Sequence, residues 1–155
     1  MARRALAYHE AGHAVVACSL RVPVLDIKIE GLRGRVRYPL RLSQLHPETD
    51  FGRLQKLALI LFGGEDAEQI LDDQAECFAS EDDNEQINAI AELLFETNVT
   101  ASSSWIDGIK DRANVIVIEN WDRVRALAAV LTKESFISGE RATHIIGDAK
   151  TTPTK

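Results

Sequence analysis

Hydrophobic positions recur along this chain with two distinct periods. Residues 2–20 are dense in Ala and Leu and predict a helix that stops before Pro23, since the residue preceding a proline avoids helical geometry. Residues 24–30 (VLDIKIE) alternate with period two. A turn at residues 31–34 then leads into 35–40, which together predict a β-hairpin. Phe51, Leu54, Leu57, Ala58, Leu61 and Phe62 fall at helical spacing and predict a second helix over 50–62. Gly63 and Gly64 mark a break or a close approach, after which the helical pattern resumes to Leu71. Ile87, Ile90, Ala91 and Leu94 stripe a third helix over 81–95. Residues 97–108, with three consecutive serines, read as a loop. A long helix is expected over 111–134 and a short last one over 138–146, opening at Ser138 or Gly139. The pattern predicts a mainly α fold with a small β-hairpin or sheet (α+β).

At 155 residues the chain suits one domain, expected over 1–147 with a disordered tail at 148–155. Hydrophobic residues make up 45% and charged residues 27%, a globular composition that can build a core without cross-links. Cys18 and Cys77 form no disulfide framework, and no segment reaches the roughly 20 apolar residues of a membrane span. A cytoplasmic location is the expectation. The net charge of −6 is unevenly spread. Residues 1–41 hold 8 basic and 3 acidic side chains, whereas 42–100 hold 2 and 14. The acidic middle argues against nucleic acid as a partner, which requires a continuous basic face. Arg33, Arg35 and Arg37 share one face of their strand, opposite Val36 and Tyr38. A solvated, charged strand is the plain account of them.

The first helix carries His9-Glu10-Ala11-Gly12-His13, an H-E-x-x-H. Residues four apart share a helical face, so both imidazoles can grip one cation. Glu10 lies about 100° round the helix, within reach of a water on that cation. Gly12 costs about 1 kcal/mol relative to Ala in a helix, which points to another element packed close beside it. A zinc site of this kind needs a third protein ligand and leaves one position for water. Val16 and Ser19 stand where the extended motif would place Gly and His. His46 and His144 sit in no ligand-like setting, so a carboxylate is expected. Asp83 continues the apolar stripe of Ile87, Ile90 and Leu94, where a lone carboxylate would be costly. Either it is the ligand or it completes a capping box with Ser80. Glu68 is the second candidate, and Asp82 falls on a more polar row.

With these residues in view, the chain resembles the peptidase domain of the FtsH-type AAA+ zinc metalloproteases. AYHEAGHAVV at 7–16 is similar to that family's zinc-binding helix, and GGEDAEQI at 63–70 to its G-G-R-x-A-E-E-[IL] segment. Residues 80–91 are similar to its S-x-x-x-[ND]-D-[LI]-x-x-A stretch, whose second acid falls best on Asp83. Residues 127–146 resemble its last helices. Glu65, Gln69 and Asn84 depart from the pattern, and 97–112 is unlike the family. With no Walker A loop in view, the resemblance covers the peptidase domain alone, leaving a separate ATPase partner or a homo-oligomer as open associations. It implies a zinc metalloendopeptidase in which His9, His13 and Asp83 hold Zn²⁺ and Glu10 is the general base. Its substrate would be an unfolded or flexible protein or peptide. In that family a strand near the metal pairs with the substrate backbone, so the strand arginines would favour acidic substrates. The alternative is a non-catalytic, protease-like interaction module that keeps a structural zinc.

Overall fold

The computed structural model describes residues 2–72 and 81–149. Cys77, Ser80 and the tail from 150 onward lie outside them, as does the capping box expected between Ser80 and Asp83. The fold is mainly helical, with a small three-stranded antiparallel sheet.

Helix α1 (Ala2–Ser19) runs through the middle of the molecule, buried on every side from His9 to Ala17. A helix enclosed all round must bring small side chains to its crossings, and Ala7, Ala11, Ala14 and Ala17 do so with no exposed surface. Two strands follow, β1 (Asp26–Glu30) and β2 (Arg33–Arg37), paired antiparallel with Ile27 opposite Val36 and Glu30 opposite Arg33. The turn between them is two residues, tighter than expected, and Gly31 takes the left-handed φ of 59° that this turn demands. The ladder ends at Arg37, short of the expected 40, ahead of Pro39, which has no N–H to continue it.

Helix α2 (Phe51–Leu71) passes through Gly63 and Gly64 without interruption. The glycines mark a close approach. A Cβ on Gly12 would lie 2.1 Å from the Gly63 carbonyl oxygen, so the α1 and α2 backbones touch there. No residue larger than glycine fits that crossing.

Helix α3 (Glu81–Phe95) matches its expected bounds. The expected 97–108 loop is instead the first half of helix α4 (Val99–Glu119). Asn98 caps it, its side chain accepting from the Ala101 N–H at 3.1 Å. Trp105, Ile109, Ala113 and Val117 recur every four residues and hold this helix against the core, which outweighs the loop signal of the serines. The expected single helix over 111–134 is likewise divided. It breaks at Asn120, whose side-chain amide donates to the Ile116 carbonyl at 2.8 Å, and α5 (Trp121–Leu131) begins afresh. A third strand, β3 (Phe136–Ser138), pairs with the other side of β1, giving the order β2-β1-β3. Ser138 then caps α6 (Gly139–Asp148), accepting from the Arg141 N–H, so helix persists to Asp148, where the tail was expected to begin.

The core lies where α1 meets α2, α4 and α5, with Ile27, Ile29 and Ile137 closing it from the sheet. Among the described residues, no helix is long and apolar enough to cross a membrane.

Candidate metal centre

The α1–α2 crossing delivers the chemistry. His9 and His13, one helical turn apart on α1, turn their Nε2 atoms toward each other at 3.0 Å. Asp83, in the first turn of α3, places Oδ2 at 3.2 Å from each of them. Both rings are nearly fully buried, and Asp83 is mostly so.

The opposite ring nitrogens decide what those atoms can offer. His13 Nδ1 lies 2.7 Å from the Ile60 carbonyl, which can only accept, so this nitrogen carries the proton. His9 Nδ1 faces the Glu68 carboxylate in a short contact and is the donor there too. In the neutral rings both Nε2 atoms are therefore bare lone pairs. Together with a carboxylate oxygen, three potential ligand atoms converge at 3.0–3.2 Å. Such a cluster is repulsive unless a proton on one ring or a metal ion joins it. An ion held tetrahedrally at about 2.0–2.1 Å from each atom requires ligand separations of about 3.3 Å, close to those observed. Two imidazoles and one carboxylate are also a donor set that zinc accepts. The residues fit a metal ion.

The electrostatics of the cluster call for positive charge, which a proton on His9 also supplies. Burial works against a charged His9, yet Asp83 and Glu68 outweigh it and raise its pKa from 6.5 to about 10. Burial pushes Asp83 up, but His13 and His9 hold it well below the ordinary carboxylate range. The cluster draws positive charge to itself.

Glu10 is buried beside this centre, and burial raises its pKa despite the two histidines. Gly34 of β2 packs directly on it, since a Cβ there would fall 2.1 Å from Glu10 Oε1. Gly64 does the same for the rings, with His13 Nε2 at 2.6 Å and His9 Cε1 at 2.8 Å from any Cβ it might carry. An open cleft of about 200 Å³ leads to the cluster, with Gly34, Val36 and Tyr38 of the β2 segment on one wall. Tyr38 is mostly buried, and burial, reinforced by Asp83 and Glu10, pushes its phenol above the usual range.

His9, Glu10, His13 and Asp83 thus meet in one place. Glu68 does not join the cluster atoms. It sits on the far nitrogen of His9, where it orients the ring and cannot reach an ion on Nε2. Asp82 is exposed at the cleft rim. His46 lies on the surface near the start of α2, and His144 pairs with Asp148 at 3.0 Å on the exposed face of α6. Sequence reasoning missed Gly34, Tyr38 and the Ile60 carbonyl. Only Tyr38 left a trace there, through its parity with Val36.

No protein-family model matches this chain, and a search of curated proteins finds no match.

Proposed function

We propose that this protein is a zinc metalloendopeptidase that cleaves unfolded or flexible polypeptide, as its resemblance to the FtsH-type peptidase domain implies. The observation that carries the reading is the convergence of two imidazole Nε2 atoms and a carboxylate oxygen beside a buried glutamate, at the end of an open cleft. Zinc bound by His9, His13 and Asp83 would lower the pKa of a coordinated water and polarise a carbonyl. Glu10 accepts the proton from the attacking water, then returns it to the departing amine. Its burial beside the cluster and under Gly34 fixes its carboxylate within reach of a water on such an ion. Glu68 and Ile60 fix the ring orientations and keep the Nε2 lone pairs aimed inward.

The sheet supplies a place for substrate backbone. β2 pairs with β1 on one side and has no partner strand on the other among the described residues, and its residues wall the cleft. A peptide can add there as a further strand, with its main chain bonded to β2.

The test is hydrolysis of a fluorescently labelled, unfolded casein by zinc-loaded protein, comparing wild type with Glu10→Gln. Gln keeps the shape but cannot shuttle a proton, so the variant is expected to bind zinc and lose at least about 100-fold in rate. Zinc bound equally by both proteins, with no cleavage by either, would instead favour the interaction module with a structural zinc.

A further inference from the structure

A second cavity, of about 470 Å³, opens beside the first. Ten residues line it; four are cationic (Arg21, Arg41, Arg53 and Lys56) and none is acidic. In a chain of net charge −6 this is a marked local reversal. Asp50 comes within 3.5 Å of Arg53, but it stands outside the lining. Arg21 occupies the position just past α1 with φ at 61°, a left-handed conformation that favours glycine. Arg21 thus lines this pocket from a backbone conformation that its side chain does not favour.

The two cavities are neighbours along the same segment. Tyr38 walls the metal cleft and Pro39 walls the basic pocket. On α2, Leu61 belongs to the cleft and Lys56 to the pocket. From His13 to Ser19, at the end of α1 two residues before Arg21, the rise is about 9 Å, which an extended peptide covers in about three residues. Of the three strand arginines, Arg37 is already neutralised by Asp26, its partner across the ladder. Arg35 remains on the cleft wall.

We infer that this pocket is a substrate subsite that takes acidic side chains about three to six residues from the scissile bond, so that the protein selects acidic, extended segments. The inference rests on the peptidase reading for its scissile bond, but the binding it asserts is measurable without hydrolysis. Carboxylates fit the site because its four cationic residues are met by no acidic one in the lining, while Val22, Pro23, Pro39, Leu40 and Leu45 offer apolar surface to the stems of Asp or Glu side chains. Partial exposure makes each ion pair weak alone, and selectivity comes from several together.

The experiment uses paired peptides that differ only in a Glu-Glu or Gln-Gln pair, placed three to six residues to either side of a central cleavage site. Binding to zinc-loaded Glu10→Gln protein is read by fluorescence anisotropy at 50 and 200 mM salt, and wild-type kcat/KM is read in parallel. In one register the Glu peptide is expected to bind about tenfold tighter than its Gln twin at low salt, with the advantage shrinking at high salt. Arg41→Gln/Lys56→Gln should reduce that Glu-to-Gln ratio to about twofold. Lys133→Gln, an exposed change outside the pocket, should preserve it. Equal binding of the twins in every register, or a ratio unmoved by Arg41→Gln/Lys56→Gln, would overturn the subsite. Pocket-dependent binding of inorganic phosphate without any preference between the peptides would overturn it as well. A selective, pocket-dependent ratio in a protein that cleaves nothing would uphold the pocket and refute the peptidase reading.

Discussion

Gly64→Ala isolates the metal centre from the rest of the fold. In most helices this change stabilises by about 1 kcal/mol. Here the new methyl would lie 2.6 Å from His13 Nε2 and 2.8 Å from His9 Cε1, so the rings must retreat by about 0.6–0.8 Å to reach ordinary contact. Neither can retreat freely, because Ile60 and Glu68 hold the far nitrogens. Metal–ligand distances tolerate only about 0.2 Å of error. Zinc affinity should therefore fall at least about 100-fold. In chelator, the helix-propensity gain is set against an overpacking cost of about 1–3 kcal/mol, leaving a net loss of no more than about 2 kcal/mol. Competition against a chromophoric chelator gives the affinity, and urea unfolding in chelator gives the stability. A Gly64→Ala protein that binds zinc as tightly as wild type would refute the ring geometry argued above.

Other expectations concern separate parts of the molecule. Glu68→Gln leaves His9 Nδ1 with a weaker partner and should cost about 10–100-fold in zinc affinity while leaving the zinc stoichiometry at one. Gly108→Ala, in a helix where an added Cβ meets nothing within 4 Å, should stabilise by about 1 kcal/mol in urea melts. Asp66, buried on α2 with an Oδ2 that makes no hydrogen bond, has its pKa raised from 3.8 to about 6 by burial, with Asn114 working the other way. A carboxylic acid with a raised folded-state pKa contributes stability that is full below about 4 and is lost as pH rises through about 6. Asp66→Asn should therefore stabilise by about 1–3 kcal/mol at pH 8 and by nothing at pH 4, as unfolding at the two values would show.

The legible parts of this protein were those coded locally. His9, Glu10 and His13 sit within one and a half turns of one helix, so their spacing alone sets their arrangement. Asp83 could be singled out because an acid on the stripe of Ile87, Ile90 and Leu94 needs a partner. Glu68 was the second candidate, but sequence cannot say which nitrogen of a histidine a carboxylate will face. β3 was not legible, since its three residues acquire a partner only through pairing with β1 more than a hundred positions away. Helix α4 was hidden by serines and Gly108, though its four-residue apolar recurrence was available to be read. The Ile60 carbonyl left no trace at all, because a backbone acceptor is independent of residue type. At Gly63, the sequence allowed a break or a contact, and only the position of Gly12 on α1 decides for contact.

The most direct test of the metal centre is zinc affinity in Asp83→Asn and Asp82→Asn compared with wild type. Asp83 touches both Nε2 atoms and Asp82 lies at the exposed rim, so the two neighbours differ only in what they reach. An amide oxygen lacks the charge that zinc favours, so Asp83→Asn should lose about 100-fold or more and Asp82→Asn less than about threefold. Equal affinities, or a greater loss at Asp82, would contradict the assignment of His9, His13 and Asp83 as the ligand set.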